Sequence, residues 1–171
     1  MKLNFWRESG NYFDYQGFPI FYHLTGNSPE VLLCLHGFPT SSHDYHKIWD
    51  KLAKRFSVLA FDMIGYGFSA KPSDFNYTTF NQVDVLQALT DYLQIRKIHI
   101  LAHDYGNTIT QELLARAGED RLNFTIETIC MLNGALFPET LSAEPLINRK
   151  GTFIRCNAPT QRSLFTARSG I

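Results

Sequence analysis

Residues 98–114 admit few folds. A short apolar run, Ile98-His99-Ile100-Leu101-Ala102, leads into His103-Asp104-Tyr105-Gly106-Asn107, and a helical pattern with Leu113 and Leu114 on one face follows at once. Strand, sharp turn and helix in that order push the central residue out at the top of a parallel sheet. The positions two before and two after it must then be small for the turn to close. Ala102 and Gly106 meet that demand on either side of Asp104. A carboxylate presented in this way is a candidate nucleophile, able to attack carbon directly and form an ester on the protein. Aspartates at strand ends also serve as caps for a following helix, so the catalytic reading of Asp104 depends on its company.

Two other motifs supply that company. The near-continuous apolar run at residues 31–35 has the character of a strand buried on both faces of a parallel sheet, and it ends at His36-Gly37-Phe38-Pro39. Gly37 permits a bend and Pro39 restrains the segment after it, so the Phe38 N–H can be held facing a substrate oxygen as a preorganised donor. The plainer alternative is a strand-to-helix turn with His36 bonded to backbone. A second buried run, residues 57–61, ends at Asp62-Met63-Ile64-Gly65-Tyr66-Gly67-Phe68-Ser69. Gly65 and Gly67 let this loop fold back tightly while Asp62 and Ser69 satisfy backbone groups, which makes the motif structural. It lacks the spacing and lysine of a phosphate loop and differs from the dinucleotide fingerprint, so no cofactor is expected.

The rest of the chain alternates in the same manner. Residues 12–15 and 19–23 predict a hairpin about Gly17, and the spacing predicts helices over 40–54 and 79–93 and a further strand over 125–132. On the first helix Tyr45, Ile48, Trp49 and Leu52 are expected to face inward. Such alternation argues for an α/β fold with a mostly parallel sheet and flanking helices. Residues 1–137 read as the N-terminal part of that core. Residues 138–171 hold no steady period and read as the start of a lid or an irregular tail. Sixteen basic and sixteen acidic residues balance, which gives no reason to expect nucleic acid or an anionic membrane as partner. Fourteen phenylalanines suit an apolar core and an apolar pocket. Cys34 and Cys130 lie in strand-like runs and are expected to be buried thiols in a reducing compartment. With neither a signal peptide nor a membrane span apparent, a cytoplasmic location is the expectation. His43 and His46 stand three apart on a predicted helix without a third ligand in view, so no metal is expected.

Taken together, His36-Gly37-Phe38-Pro39, the segment from Asp62 to Ser69, and His103-Asp104-Tyr105-Gly106 resemble the α/β-hydrolase superfamily. The resemblance is to the branch with an aspartate nucleophile, the epoxide hydrolases and haloalkane dehalogenases, and residues 103–116 and 132–140 look most like the mesoderm-specific-transcript-like hydrolases. It implies a small apolar organic substrate, an epoxide, alkyl halide or ester, hydrolysed through an aspartyl ester on Asp104. The amides of Phe38 and Tyr105 match the oxyanion hole, and His36, Gly37, Asp62, Gly65, Gly67, Ser69, His103 and Gly106 match structural positions. Dehalogenases usually hold halide with an Asn after the His-Gly pair and a Trp after the nucleophile. Phe38 and Tyr105 stand there instead, and Phe38 suits the epoxide-hydrolase pattern better.

The superfamily orders its residues as nucleophile, acid and histidine. All six histidines, His23, His36, His43, His46, His99 and His103, precede Asp104. The resemblance therefore implies a C-terminally truncated chain that lacks the histidine base, the final strands and most of the lid. Glu139 lies near a place where some dehalogenases carry their acid. Without the base, the ester would form but water would not be activated to cleave it, so the chain is expected not to turn over alone. The strand ending at Leu132 would be left as an open edge, suited to self-association or partner pairing. A non-catalytic, hydrolase-like binding protein is the alternative.

Overall fold

The computed structural model describes residues 2–133 and 154–156. Helix α1 (Leu3–Glu8) precedes a hairpin of β1 (Asn11–Tyr15) and β2 (Phe18–Thr25); β3 (Val31–Leu35), a 3-10 helix (Ser42–Lys47), α2 (Trp49–Leu52) and β4 (Ser57–Phe61) follow. The chain continues through α3 (Thr79–Tyr92), β5 (Lys97–His103), α4 (Tyr105–Gly118), β6 (Thr125–Leu132) and the three-residue β7 (Ile154–Cys156). The strands form one sheet in the order β1-β2-β4-β3-β5-β6-β7. β4, β3, β5, β6 and β7 run parallel, and β1 and β2 add an antiparallel pair beside β4. This is the mostly parallel α/β sheet with flanking helices that the alternation predicts.

Side chains of a strand point alternately to its two faces, and here each face has its own core. Leu33 and Leu35 join Leu59, Phe61, Ile98 and Ile100 beneath Val83, Leu86, Leu89, Ile109 and Leu113 of α3 and α4. Leu32, Cys34, Val58 and Ala60 face the other way, against Trp6, Phe21, Tyr45 and Trp49. Full burial of one such large apolar side chain stabilises by about 1.5–3 kcal/mol. Thr78 caps α3, its hydroxyl accepting the Asn81 N–H at 3.1 Å. Helix α1 is anchored by Trp6, whose indole N–H donates to Ser42 Oγ at 3.1 Å. The Trp6 ring stacks on His23 with centroids 4.4 Å apart and meets Trp49 edge-on at 4.8 Å.

Four expectations change. The helix predicted over 40–54 is two shorter pieces, with no side-chain cap on either and Ile48 40% exposed between them. Ser42 is buried because its N–H is committed to Asp62, which holds the chain in a tighter winding than an α-helix allows. Cys34 is buried as predicted, but Cys130 is exposed: it falls on the outward side of β6, where Ile126, Ile129 and Met131 take the core face. The β6 edge expected to be open is paired with β7 from Ile129 to Met131. Helix α1, with Trp6 its one buried residue, adds an element that the sequence pattern does not predict. Glu139 and the lid or tail expected over 138–171, apart from β7, lie outside the described residues. Among the described residues, no helix is long and apolar enough to cross a membrane.

Candidate functional site

The chain leaves β3 towards β4 on one side and later returns as β5 on the other. The carboxyl ends of β3 and β5 therefore part into a crevice, the usual ligand position in open α/β sheets. Asp104 stands at the end of β5 with φ 52° and ψ −122°, a conformation that L-residues avoid and that costs on the order of 1–3 kcal/mol. Its surroundings enforce it. The Asp104 N–H donates to Leu132 O at 3.2 Å, and its carbonyl accepts the Asn107 N–H at 2.9 Å. Asn107, buried, donates from Nδ2 to the same Leu132 carbonyl at 3.0 Å. A Cβ on Gly106 would stand 2.4 Å from Leu35 O, and one on Gly37 would stand 2.6 Å from the Asp104 Cβ. Helix α4 thus approaches the end of β3, and the turn after β3 approaches Asp104, as closely as backbone permits.

The carboxylate is gripped on one oxygen. Asp104 Oδ1 accepts the Phe38 N–H at 2.8 Å and the Tyr105 N–H at 2.6 Å. Among the described residues Oδ2 has no hydrogen-bond partner, and the side chain is exposed in the crevice. The Phe38 amide, then the Tyr105 amide, hold this carboxyl below the usual aspartate range; partial burial opposes them and His103 adds to them. Phe38, expected as an amide donor, is also 67% exposed as a side chain.

The remaining motif residues build the floor. His36 is buried, donates from Nδ1 to Gly37 O at 2.9 Å and accepts the Met63 N–H on Nε2 at 3.1 Å, joining the loops after β3 and β4. Burial pushes its imidazole below the usual histidine range. Asp62 accepts the Ser42 N–H at 2.7 Å on one oxygen and the Phe68 N–H at 2.6 Å on the other. Its carbonyl accepts the Ser69 hydroxyl at 2.5 Å, and Ser69 Oγ accepts the Phe21 N–H at 2.9 Å. Gly67, at φ 46°, leaves only 2.0 Å between a would-be Cβ and Asp62 Oδ2. Gly65 turns the same loop at φ 96°.

Three contacts were not legible beforehand. The Tyr66 ring packs against His36 (centroids 5.3 Å apart), Phe38 (6.3 Å) and Tyr105 (6.3 Å), forming an aromatic wall beside Asp104. Burial, then Tyr105 and Asp104, push its phenol up. His103 donates from Nε2 to Asp44 Oδ2 at 3.1 Å, a partner 59 positions away. Asn107 ties α4 to the end of β6. Spacing along the chain carries no sign of the His103–Asp44 pair, whereas Tyr66 lies inside a motif already singled out. His43 and His46 stack face to face at 4.2 Å, and the His43 ring meets Trp6 edge-on at 5.8 Å. Among the described residues, no group of three or more His, Cys, Asp or Glu could hold a metal ion.

Comparison with known proteins adds family and extent. A family model for the alpha/beta hydrolase fold matches residues 30–129. The chain is 45% identical over 156 residues to the mesoderm-specific transcript homolog protein of Bos taurus, covering 86% of this chain and 46% of that protein. A haloalkane dehalogenase of Mesorhizobium japonicum is 42% identical over 91 residues, 53% of this chain and 29% of that one. The crystal structure of an alpha/beta hydrolase fold protein from Burkholderia ambifaria superposes with a TM-score of 0.65 and 31% identity, covering 75% of this chain and 45% of that one. The chain thus spans about half the length, or less, of these relatives. The family match runs from β3 into β6 and takes in both segments that grip Asp104, and the chain belongs to the α/β-hydrolase fold family.

Proposed function

We propose that Asp104 is a nucleophile acting on a small, neutral organic electrophile, and that the reaction passes through an ester on its carboxylate. The observation that supports this most directly is the asymmetry of the carboxylate: two N–H groups hold Oδ1, while among the described residues Oδ2 has no hydrogen-bond partner and the side chain is exposed. Oδ2 forms a bond to a saturated carbon of an epoxide or alkyl halide while the carbon–oxygen or carbon–halogen bond breaks. The bonding pair leaves with the oxygen or halide, and the alkoxide from an epoxide takes its proton from water. Attack on the carbonyl of an ester substrate would instead give an anhydride, so electrophiles with a reactive saturated carbon are favoured. Oδ1 becomes the ester carbonyl oxygen, still within reach of the Phe38 and Tyr105 amides. Water attacking that ester places negative charge on Oδ1, where each donor is worth roughly 10²–10³ in rate.

Electrostatics and lining narrow the substrate. Among the described residues no Lys or Arg acts on the Asp104 carboxyl, so an anionic substrate would meet a like charge without a counter-ion. Phe38, Tyr66 and Tyr105 offer apolar faces instead. The relative from Mesorhizobium japonicum is named a haloalkane dehalogenase, but Phe38 and Tyr105 occupy the two positions at which the resemblance places halide donors. An epoxide is the preferred class. No histidine follows Asp104 within the 171 residues. Of those before it, none stands at the position after the nucleophile where the resemblance places the base. His36 is committed to backbone on both ring nitrogens, and His103 precedes the nucleophile and pairs with Asp44. His99 contacts Thr128, His43 and His46 stack on each other, and His23 is buried between Trp6 and Trp49. The ester is therefore formed once and retained by this chain alone.

Incubation with styrene oxide, or with a primary alkyl bromide, followed by intact mass measurement tests the reading. One adduct that persists for hours and is absent from Asp104→Asn is the expected result. If the wild type gains no more mass than Asp104→Asn, the nucleophile assignment fails and the chain is a hydrolase-like binding protein. Rapid loss of the adduct would overturn the claim that the ester is retained.

A further inference from the structure

The two N–H groups that grip Asp104 Oδ1 belong to separate segments. Phe38 lies in the turn after β3, and Tyr105 opens α4, so neither segment by itself sets the distance between the donors. One carboxylate joins both segments from behind. Asp44 Oδ2, in the 3-10 helix, accepts the Nε2–H of His103 at 3.1 Å and also meets the Thr40 hydroxyl. Thr40 closes the turn that carries Phe38, its N–H donating to Gly37 O at 3.1 Å. Its single hydroxyl proton has Gly37 O as a second acceptor at 3.0 Å, but a carboxylate is the stronger one. His103 immediately precedes Asp104, and its ring lies edge-on to Tyr45 at 5.7 Å. Tyr45 in turn donates its hydroxyl to Leu35 O at 2.7 Å, with Leu101 O at 3.1 Å, which pins the 3-10 helix to the ends of β3 and β5. Both members of the Asp44–His103 contact are about two-thirds shielded from solvent, with side-chain exposures of 32% and 27%.

We propose that Asp44 is a positioning residue: through Thr40 on one side and His103 on the other, it sets how the Phe38 and Tyr105 amides converge on Asp104. The catalytic meaning of this role rests on the reading of Asp104 as nucleophile. The spacing itself does not, and can be measured without a substrate.

Thr40→Val cuts one arm without altering any charge, and Thr40→Ser keeps the hydroxyl. Titration of the Asp104 carboxyl by 13C NMR in the full 171-residue chain reads the result. The Phe38 amide is the largest cause of the lowered Asp104 value, so in Thr40→Val the midpoint moves up towards that of an ordinary aspartate, while Thr40→Ser titrates with the wild type. Hydrogen exchange at the Phe38 amide quickens roughly tenfold in Thr40→Val, equivalent to losing about one hydrogen bond, and Asp44→Asn shows the same quickening. A purely structural Thr40 would lower thermal stability and leave the midpoint where it was. An unchanged midpoint and unchanged exchange overturn the proposal, even if electrophiles label wild-type Asp104. A shifted midpoint in a protein that electrophiles never label would refute the nucleophile reading and leave the spacing role standing.

Discussion

Backbone angles of 52° and −122° place Asp104 where side chains rarely sit, and the contacts around it offset that cost. Gly37 and Gly106 are the steric condition for those contacts. A methyl on Gly37 meets the Asp104 Cβ, so Gly37→Ala is expected to destabilise by about 1–3 kcal/mol and to slow labelling of Asp104; urea denaturation and intact mass read the two effects. Because two amides hold the Asp104 carboxyl below its usual range, the nucleophile stays ionised through mildly acid conditions. Labelling is expected to hold constant from pH 8 to pH 5 and to fall only below the ordinary aspartate value of about 3.9. A fall between pH 8 and pH 6 would point to a different group. Asp104, Phe38 and Tyr105 could be singled out in sequence because each lies in a short turn motif directly after an apolar strand, although Phe38 meets Asp104 from 66 positions away. Asp44 could not, because it lies in no such motif and its contact with His103 crosses between elements, which leaves no local period.

Among elements, legibility followed burial. The strands at 31–35 and 57–61 match β3 and β4 to the residue, since both faces are covered and every position is apolar or small. Helix α1 has one buried side chain, Trp6, in six residues, too little to make a periodic pattern. That side chain nonetheless carries its docking, and Trp6→Ala is expected to cost about 3–5 kcal/mol, measured as a lower urea midpoint. On the opposite face Arg116 links α4 to α3: it is buried, donates to Glu112 at 2.7 Å and Asp84 at 2.5 Å, and reaches Phe80 O at 2.9 Å. Its removal would leave Glu112 with a mostly buried, unpaired charge. Arg116→Ala is expected to destabilise by roughly 3 kcal/mol, with less of the loss coming from the half-exposed Asp84. A change under about 0.5 kcal/mol would contradict this account of the α3–α4 contact.

For the molecule as a whole, acid sensitivity begins with histidine. Burial holds His23 and His36 below the usual histidine value, so both remain neutral in the fold while the unfolded chain takes up protons near pH 6.5. Stability is therefore full above about pH 6.5 and declines as pH falls from there towards the folded-state values. Asp104 adds a second decline at lower pH, because a carboxyl depressed in the fold loses its contribution as it protonates. Urea midpoints at pH 8, 6.5 and 5 are expected to fall in that order.

The central claim concerns one carboxylate oxygen. Its most direct test is to treat the protein at neutral pH with an epoxide, digest it with trypsin and locate the adduct by fragmentation. The account predicts that the added mass lies on Asp104, within peptide 98–116. Among the described residues the chief competitor is Cys130, an exposed thiol whose pKa is nevertheless raised by partial burial, leaving little thiolate at neutral pH. An adduct on Cys130, or anywhere that survives Asp104→Asn, with none on Asp104, would contradict the account.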